Sequence, residues 1–259
     1  MVTRRIIVLR LIIVLLVLCC AGVSAQQGKY TMTVQTDEGP QLFYVDEIDY
    51  IDFTANQMVI HPKTGSAQQF AQSTMYGAEF ATDSHEAVDL GLSVHWATCN
   101  MGADSPEDYG LFYAWGETLT KYSFTEANYK YYTDQQYQYI GTNICGTTYD
   151  VAHRQWGGHW RMPTRSEVRE LTTQCTWQPD TLNQVPGYRV TGPNGKSIFL
   201  PSTGYQTGTK KEEVGTCGYY WTGSLNRQMP YSAYTLNFRG YDDDWSANRF
   251  LGFAIRPVR

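Results

Sequence analysis

Residues 157–171 read GGHWRMPTRSEVREL. Thr164 stands three residues before Glu167. That is a capping box, in which the Thr hydroxyl and the Glu carboxylate each satisfy a free backbone N–H at a helix start. Val168 and Leu171 follow at i, i+3 spacing and give the helix one apolar face. Pro163 ends the extended segment before it, because a proline disfavours the helical region for its predecessor. The stretch therefore predicts a short helix beginning near Arg165, with Trp160, Val168 and Leu171 in the core. No other segment carries so strong a helix signature, and strand and turn signals dominate the rest. That contrast points to an α+β chain with little helix.

Composition agrees. The chain holds 20 Tyr and 7 Trp but only 17% charged residues. Such a balance suits a β-rich, loop-rich extracellular protein. Residues 1–25 read as a signal peptide: Arg4, Arg5 and Arg10 flank the apolar run LIIVLLVL, and Val23-Ser24-Ala25 is an A-x-A-like cleavage site. That run is too short for a bilayer span, so no transmembrane span is expected after cleavage. Lipoprotein anchoring at Cys19 or Cys20 is the alternative, and Leu18 stands where such a signal wants a small residue. Removing the three arginines takes the net charge from −5 to −8. Acidity argues against nucleic acid as a partner, because phosphate contacts need a basic face.

Four cysteines remain, Cys99, Cys145, Cys175 and Cys217. An even number in an exported chain suggests two disulfides, with three pairings open. Metal is disfavoured: there is no C-x-x-C or H-x-x-x-H, and the spacing of His153 and His159 matches no usual zinc site.

The segment 26–84 contains a weak repeat. YTMTVQTDEGPQLFYVDEIDYIDF is echoed by ANQMVIHPKTGSAQQFAQSTMYGAEF, with 27 residues from Phe53 to Phe80. Each copy runs strand, glycine turn (Gly39, Gly65), aromatic strand (Phe43, Phe70) and short connector. Two such hairpins are expected to pair into one small sheet burying Phe43, Ile51, Phe53 and Phe70. The acidic run Asp46-Glu47-Ile48-Asp49 reads as a solvated face. This piece is a spacer or docking module ending in the polar linker 81–84.

From His85 the texture changes. VDLGLSVHWATCNMGA, YGLFYAWGE, YDVAHRQWGGHWRMPTRSEVREL, GYRVTGPNGKSIFLPSTGY, GYYWTGS and GFAIRPVR follow in order. Together these resemble the Fibrobacter succinogenes major paralogous domain, common in exported proteins of Bacteroidetes-type bacteria. RMPTRSEVREL is more distantly similar to the helix start of formylglycine-generating enzymes and related C-type-lectin-like folds. The resemblance implies a C-type-lectin-like domain over 85–259 whose two ends pair as adjacent strands. GFAIRPVR becomes the closing strand, with Phe253 and Ile255 on one face. It also implies the disulfide pairing Cys99–Cys175, leaving Cys145 with Cys217. Formylglycine-generating enzymes use a reactive cysteine pair near the end of the domain. Here no cysteine follows Cys217, so the resemblance carries fold rather than that activity.

Among binding candidates, Gln178-Pro179-Asp180 spells the QPD of some galactose-binding lectins, but it directly follows the helix and its W-N-D companion is missing. The better candidate is Tyr241, Asp242, Asp243, Asp244 and Trp245, between the strand YTLNF and the closing strand. Three carboxylates beside two aromatics suit a sugar or peptide, and calcium is the one cofactor they suggest. Arg249 just beyond is expected to pair with an Asp of this loop. The tyrosine run 129–140 is a second recognition surface, half packed and half wet. Trp96, Trp115, Trp156, Trp160 and Trp221 read as core. No catalytic constellation is signed. The expected function is non-catalytic recognition of glycan or protein at the cell envelope or outside it. The alternative is a structural or accessory subunit of a surface assembly.

Overall fold

The computed structural model describes residues 30–37, 39–53, 57–71, 73–82, 85–238 and 245–259. The signal-peptide reading falls outside them. The first part of the chain forms six strands: β1 (Tyr30–Thr36), β2 (Gly39–Tyr44), β3 (Ile48–Phe53), β4 (Gln57–Pro62), β5 (Gln68–Ala71) and β6 (Met75–Thr82). They make two three-stranded sheets, β2-β1-β6 and β3-β4-β5, rather than the one expected. The repeat explains this. The third strand of the first copy, β3, pairs with β4 of the second, and the third strand of the second, β6, pairs with β1 of the first. Each copy completes the other's sheet. Met32 and Val34 in one copy and Met58, Ile60 and Phe70 in the other bury a shared core, flanked by Phe43 and Ile51. Phe53 ends an edge strand beyond that core and stays 43% exposed, contrary to expectation.

This module packs directly onto the rest of the chain. Tyr44, at the end of β2, is 2% exposed and belongs to the main domain's core. It lies against Gly158, whose backbone has φ +51° and where a Cβ would meet the Tyr44 ring at 1.4 Å. Only glycine fits there. Glu47, in the 3-10 turn after β2, pairs with His159 at 2.7 Å.

The main domain opens with β7 (Ala87–Asp89) and β8 (His95–Ala97), followed by the short hairpin β9 (Tyr132–Thr133) and β10 (Gln136–Tyr137). Two helices come next, α1 (Val151–Trp156) and α2 (Arg165–Gln174). Asp150 starts α1, its carboxylate accepting from the amides of Ala152 and His153. The sheet β11 (Thr176–Leu182), β12 (Val185–Thr191), β13 (Ser197–Pro201) follows, then the hairpin β14 (Tyr205–Thr207), β15 (Lys210–Glu212). A final sheet joins β16 (Tyr219–Leu225), β17 (Ser232–Asn237) and β18 (Ser246–Asn248). Among the described residues the structure is thus mostly β with two short helices. Among the described residues no helix is long and apolar enough to cross a membrane.

The helix α2 forms as the spacing predicts. Glu167 N donates to Thr164 Oγ1 at 3.2 Å, and Thr164 N donates to Glu167 Oε2 at 2.7 Å. Arg161 adds a bidentate clamp, Nη1 to Oε2 at 2.8 Å and Nη2 to Oε1 at 2.5 Å. Val168 and Leu171 are buried. All five tryptophans read as core are buried.

The closing run 252–259 is threaded through the middle. Its backbone bonds on one side to His95, Ala97, Met101 and Tyr113. On other sides it reaches Arg161 through Val258 and Tyr219 and Trp221 through Ala254. The start and end of the domain therefore do lie side by side. Phe253 and Ile255 enter one core cluster, while Ala254 and Val258 enter the other.

Neither expected disulfide forms: Cys99, Cys145, Cys175 and Cys217 are free thiols. Each has its own packing site. Cys217 is buried and donates to Asn237 Oδ1 at 3.1 Å. Cys145 packs beside Gly223, and burial pushes its thiol up to about 12. Cys175 ends α2 against the second core cluster, where burial lifts its thiol to about 11.

Two predictions concern α2. Leu171→Ala costs about 2–5 kcal/mol and Thr164→Ala about 1 kcal/mol, read from denaturant melts. A harmless Leu171 change would make the helix peripheral. Burial alone would raise the Glu167 carboxyl, but Arg161 and the Thr164 amide outweigh it and hold it below its ordinary 4.5. A depressed folded pKa gives stability that is complete above 4.5 and is lost as pH falls through the lower folded value. Acid titration of melting temperature should show that loss, and Glu167→Gln should flatten it.

Candidate functional site

The turn after β15 shapes one wall of an open groove. Glu213 takes a left-handed φ of +56° there. Its carbonyl accepts from the amides of Thr216 and Cys217, both at 3.1 Å, which pins the turn and delivers the chain to β16. Tyr219, at the start of β16, donates its hydroxyl to Glu213 Oε2 at 2.9 Å. Burial, and then Glu213, raises the Tyr219 phenol, so it remains a donor at any physiological pH.

The floor is aromatic. Tyr205 meets Tyr219 edge-on with ring centroids 5.1 Å apart. Tyr219 lies 5.2 Å from Phe253. Phe253 in turn stacks on Trp221 at 4.4 Å, which ties the floor to the main core. The far wall is β18 with the end of β17. Asn237 and Asn248 bring amides, Ser246 a hydroxyl, and Trp245 an indole that is 49% exposed. The groove encloses about 650 Å³.

This is a combination suited to ligands with both flat apolar faces and hydroxyls. The half-exposed Trp245 ring can accept the first, and amide, phenol and carboxylate groups can bond the second. Among the described residues no group of three or more His, Cys, Asp or Glu is arranged to hold a metal.

Of the five predicted loop residues, Trp245 lies on the groove rim. Tyr241, Asp242, Asp243 and Asp244 lie outside the described residues, so any calcium site they make does too. The Asp residues with which Arg249 is expected to pair lie outside the described residues. Arg249 is buried under the tyrosine run, donating from Nε to Tyr129 Oη at 2.9 Å and from Nη1 to the carbonyls of Gln138 and Pro230. Its guanidinium lies over Trp115, Tyr129 and Tyr137 as a cation–π cage. The run is indeed split: Tyr129 is buried and Tyr139 is 74% exposed. The QPD triplet lies within β11, with Asp180 paired to Arg189 at 2.7 Å.

Sequence reasoning missed Tyr205, Glu213, Tyr219, Asn237 and Asn248. They come from separate strands and turns, and only the pairing of those strands brings them together. Family models, curated proteins and solved structures offer no match to this chain.

Rim and floor should separate on mutation. Trp245→Ala removes an exposed ring and should change stability by no more than about 0.5 kcal/mol. Phe253→Ala opens the core and should cost about 3–5 kcal/mol. Chemical denaturation measures both, and a Trp245 variant that unfolds would make the rim a packed corner instead.

Proposed function

We propose that this is an exported, non-catalytic recognition protein that binds glycan in the groove between Tyr219 and Trp245. In this reading the main domain is a C-type-lectin-like member of the Fibrobacter succinogenes major paralogous family. The ordered motifs from VDLGLSVHWATCNMGA to GFAIRPVR support it, as do the adjacent ends and the packing helix α2 with its capping box. Export is supported by the arginine-flanked apolar run before Val23-Ser24-Ala25.

One observation carries the choice of glycan: a half-exposed indole faces a groove with an aromatic floor and amide, phenol and carboxylate walls. Pyranose rings present an apolar C–H face and equatorial hydroxyls, which is the complement of that lining.

A glycan array probed with the purified mature chain tests this. Specific hits are expected, unchanged by chelator because stacking and amide contacts need no ion. Trp245→Ala should weaken the best hit by roughly tenfold or more, as removal of a stacking face costs 1.4 kcal/mol or above. Silence on the array, with a stoichiometric envelope protein co-purifying, would favour the accessory-subunit reading.

A further inference from the structure

We infer that Asn194 is a conditional modification site, independent of the glycan reading. The fold holds its side-chain amide against deamidation, and loss of that amide through a succinimide with Gly195 unlatches the β12–β13 turn from β7.

Asn194-Gly195 is the one Asn-Gly step in the sequence. Both residues are exposed, so water reaches them. Gly195 has no Cβ to hinder approach of its amide nitrogen to Asn194 Cγ. In the reaction that nitrogen loses its proton and bonds to Cγ, the Cγ–Nδ2 bond breaks, and the side-chain nitrogen takes up a proton and leaves as ammonia. Water then opens the ring at either carbonyl and leaves aspartate or isoaspartate. Water is the co-reactant, and nothing is oxidised or reduced.

Every group the reaction needs is engaged in the folded chain. Residues 192–195 form a turn in which Gly195 N donates to the Gly192 carbonyl at 3.0 Å. Asn194 Nδ2 donates to the Asp89 carbonyl at 2.8 Å, and Oδ1 accepts from Lys196 N at 3.1 Å. The turn is seated on its neighbours: a Cβ on Gly192 would collide with the Leu90 carbonyl, and one on Gly91 would meet Pro193 at 3.2 Å. Attack therefore waits on a local opening that breaks these bonds, and its rate follows the open fraction. Asp89 pairs with His95, whose backbone bonds both ways to Arg259. The latch thus joins the β12–β13 hairpin to both ends of the domain. A carboxylate at position 194 has no proton to donate to the Asp89 carbonyl and leaves that acceptor unpaired. Isoaspartate adds a backbone atom to a turn already seated on Leu90.

The test follows residue 194 by peptide mapping of the full chain in mildly alkaline buffer, folded and in urea, with Asn, Asp and isoaspartate forms resolved. Folded wild type should convert roughly tenfold more slowly than the unfolded chain, or slower still. Gly91→Ala puts a Cβ against Pro193 at a residue with φ +78°. It should speed conversion in the folded chain and leave the unfolded rate alone. Gly195→Ala in urea should slow conversion, which identifies the succinimide route. Asn194→Asp should lower the melting temperature, and aged wild type carrying Asp or isoaspartate should melt below fresh protein. Equal folded and unfolded rates overturn the inference. So does a Gly91 change that leaves the folded rate unmoved, a Gly195 change that leaves the unfolded rate unmoved, or an Asn194→Asp melt level with wild type. Should Gly91→Ala not fold, the folded-to-unfolded ratio of wild type and the Asn194→Asp melt decide together.

Discussion

The main domain depends on the burial of one extended run that forms isolated bridges rather than the regular closing strand expected. The run 252–259 bonds to four other parts of the chain at once, and its alternate side chains feed two separate core clusters. Arg256 is the unusual member. It is fully buried and pairs with no carboxylate among the described residues, yet Nε reaches Asn100 Oδ1 and its Nη atoms reach the carbonyls of Ala97, Thr98 and Phe199. Burial lowers its pKa from the ordinary value. A guanidinium can survive such a site because its five donors spread the charge over several carbonyl dipoles. Those carbonyls belong to the strand after β7, the turn beyond it and β13. One side chain thereby ties the beginning, middle and end of the domain together.

The module solves a related problem by exchange. A single hairpin is marginal in water because one face of two strands cannot bury enough apolar surface. Two copies that trade their third strands make two sheets with a common core of methionine, valine, isoleucine and phenylalanine. Tyr44 then extends that core into the main domain. The position opposite had to be glycine twice over, since Gly158 has both a left-handed backbone and a ring against its Cα. This also accounts for the paired glycines at the head of the stretch GGHWRMPTRSEVREL.

What was legible in the sequence was what is encoded locally. The helix α2 follows from Thr164 and Glu167, and the core tryptophans follow from their apolar neighbours. The repeat was visible, but its strand exchange was not, because identical hairpins give the same pattern whether they pair within or between copies. Helix α1 carried a weaker signal, Asp150 before VAHRQW and glycines after it, in only six residues. Cysteine parity suggested bridges, yet parity says nothing about where sulfurs point. Arg249 was read from its sequence neighbours, whereas its cage comes from Trp115 and the tyrosine run more than a hundred residues earlier. For the groove, only Trp245 announced itself, since the other lining residues look like ordinary strand ends until β14, β16, β17 and β18 are placed together.

The groove's design then follows from that placement. Its floor cannot move independently of the core: Phe253 stacks on Trp221, and the Trp221 indole donates to the Tyr113 carbonyl at 2.8 Å. Trp115 answers from the other side, donating to the Thr222 carbonyl at 2.8 Å. Two locked tryptophans hold β16 and the closing run in register under the groove. A rigid floor means that little conformational entropy is lost when a ligand arrives, so weak stacking and hydrogen bonds can register as affinity. The rim is free of this duty. Trp245 contributes its backbone carbonyl to Thr235 and leaves its ring half in solvent. Substitutions at the rim can therefore leave the fold intact, whereas a change in the floor is felt in the core cluster that Tyr219, Trp221 and Phe253 share.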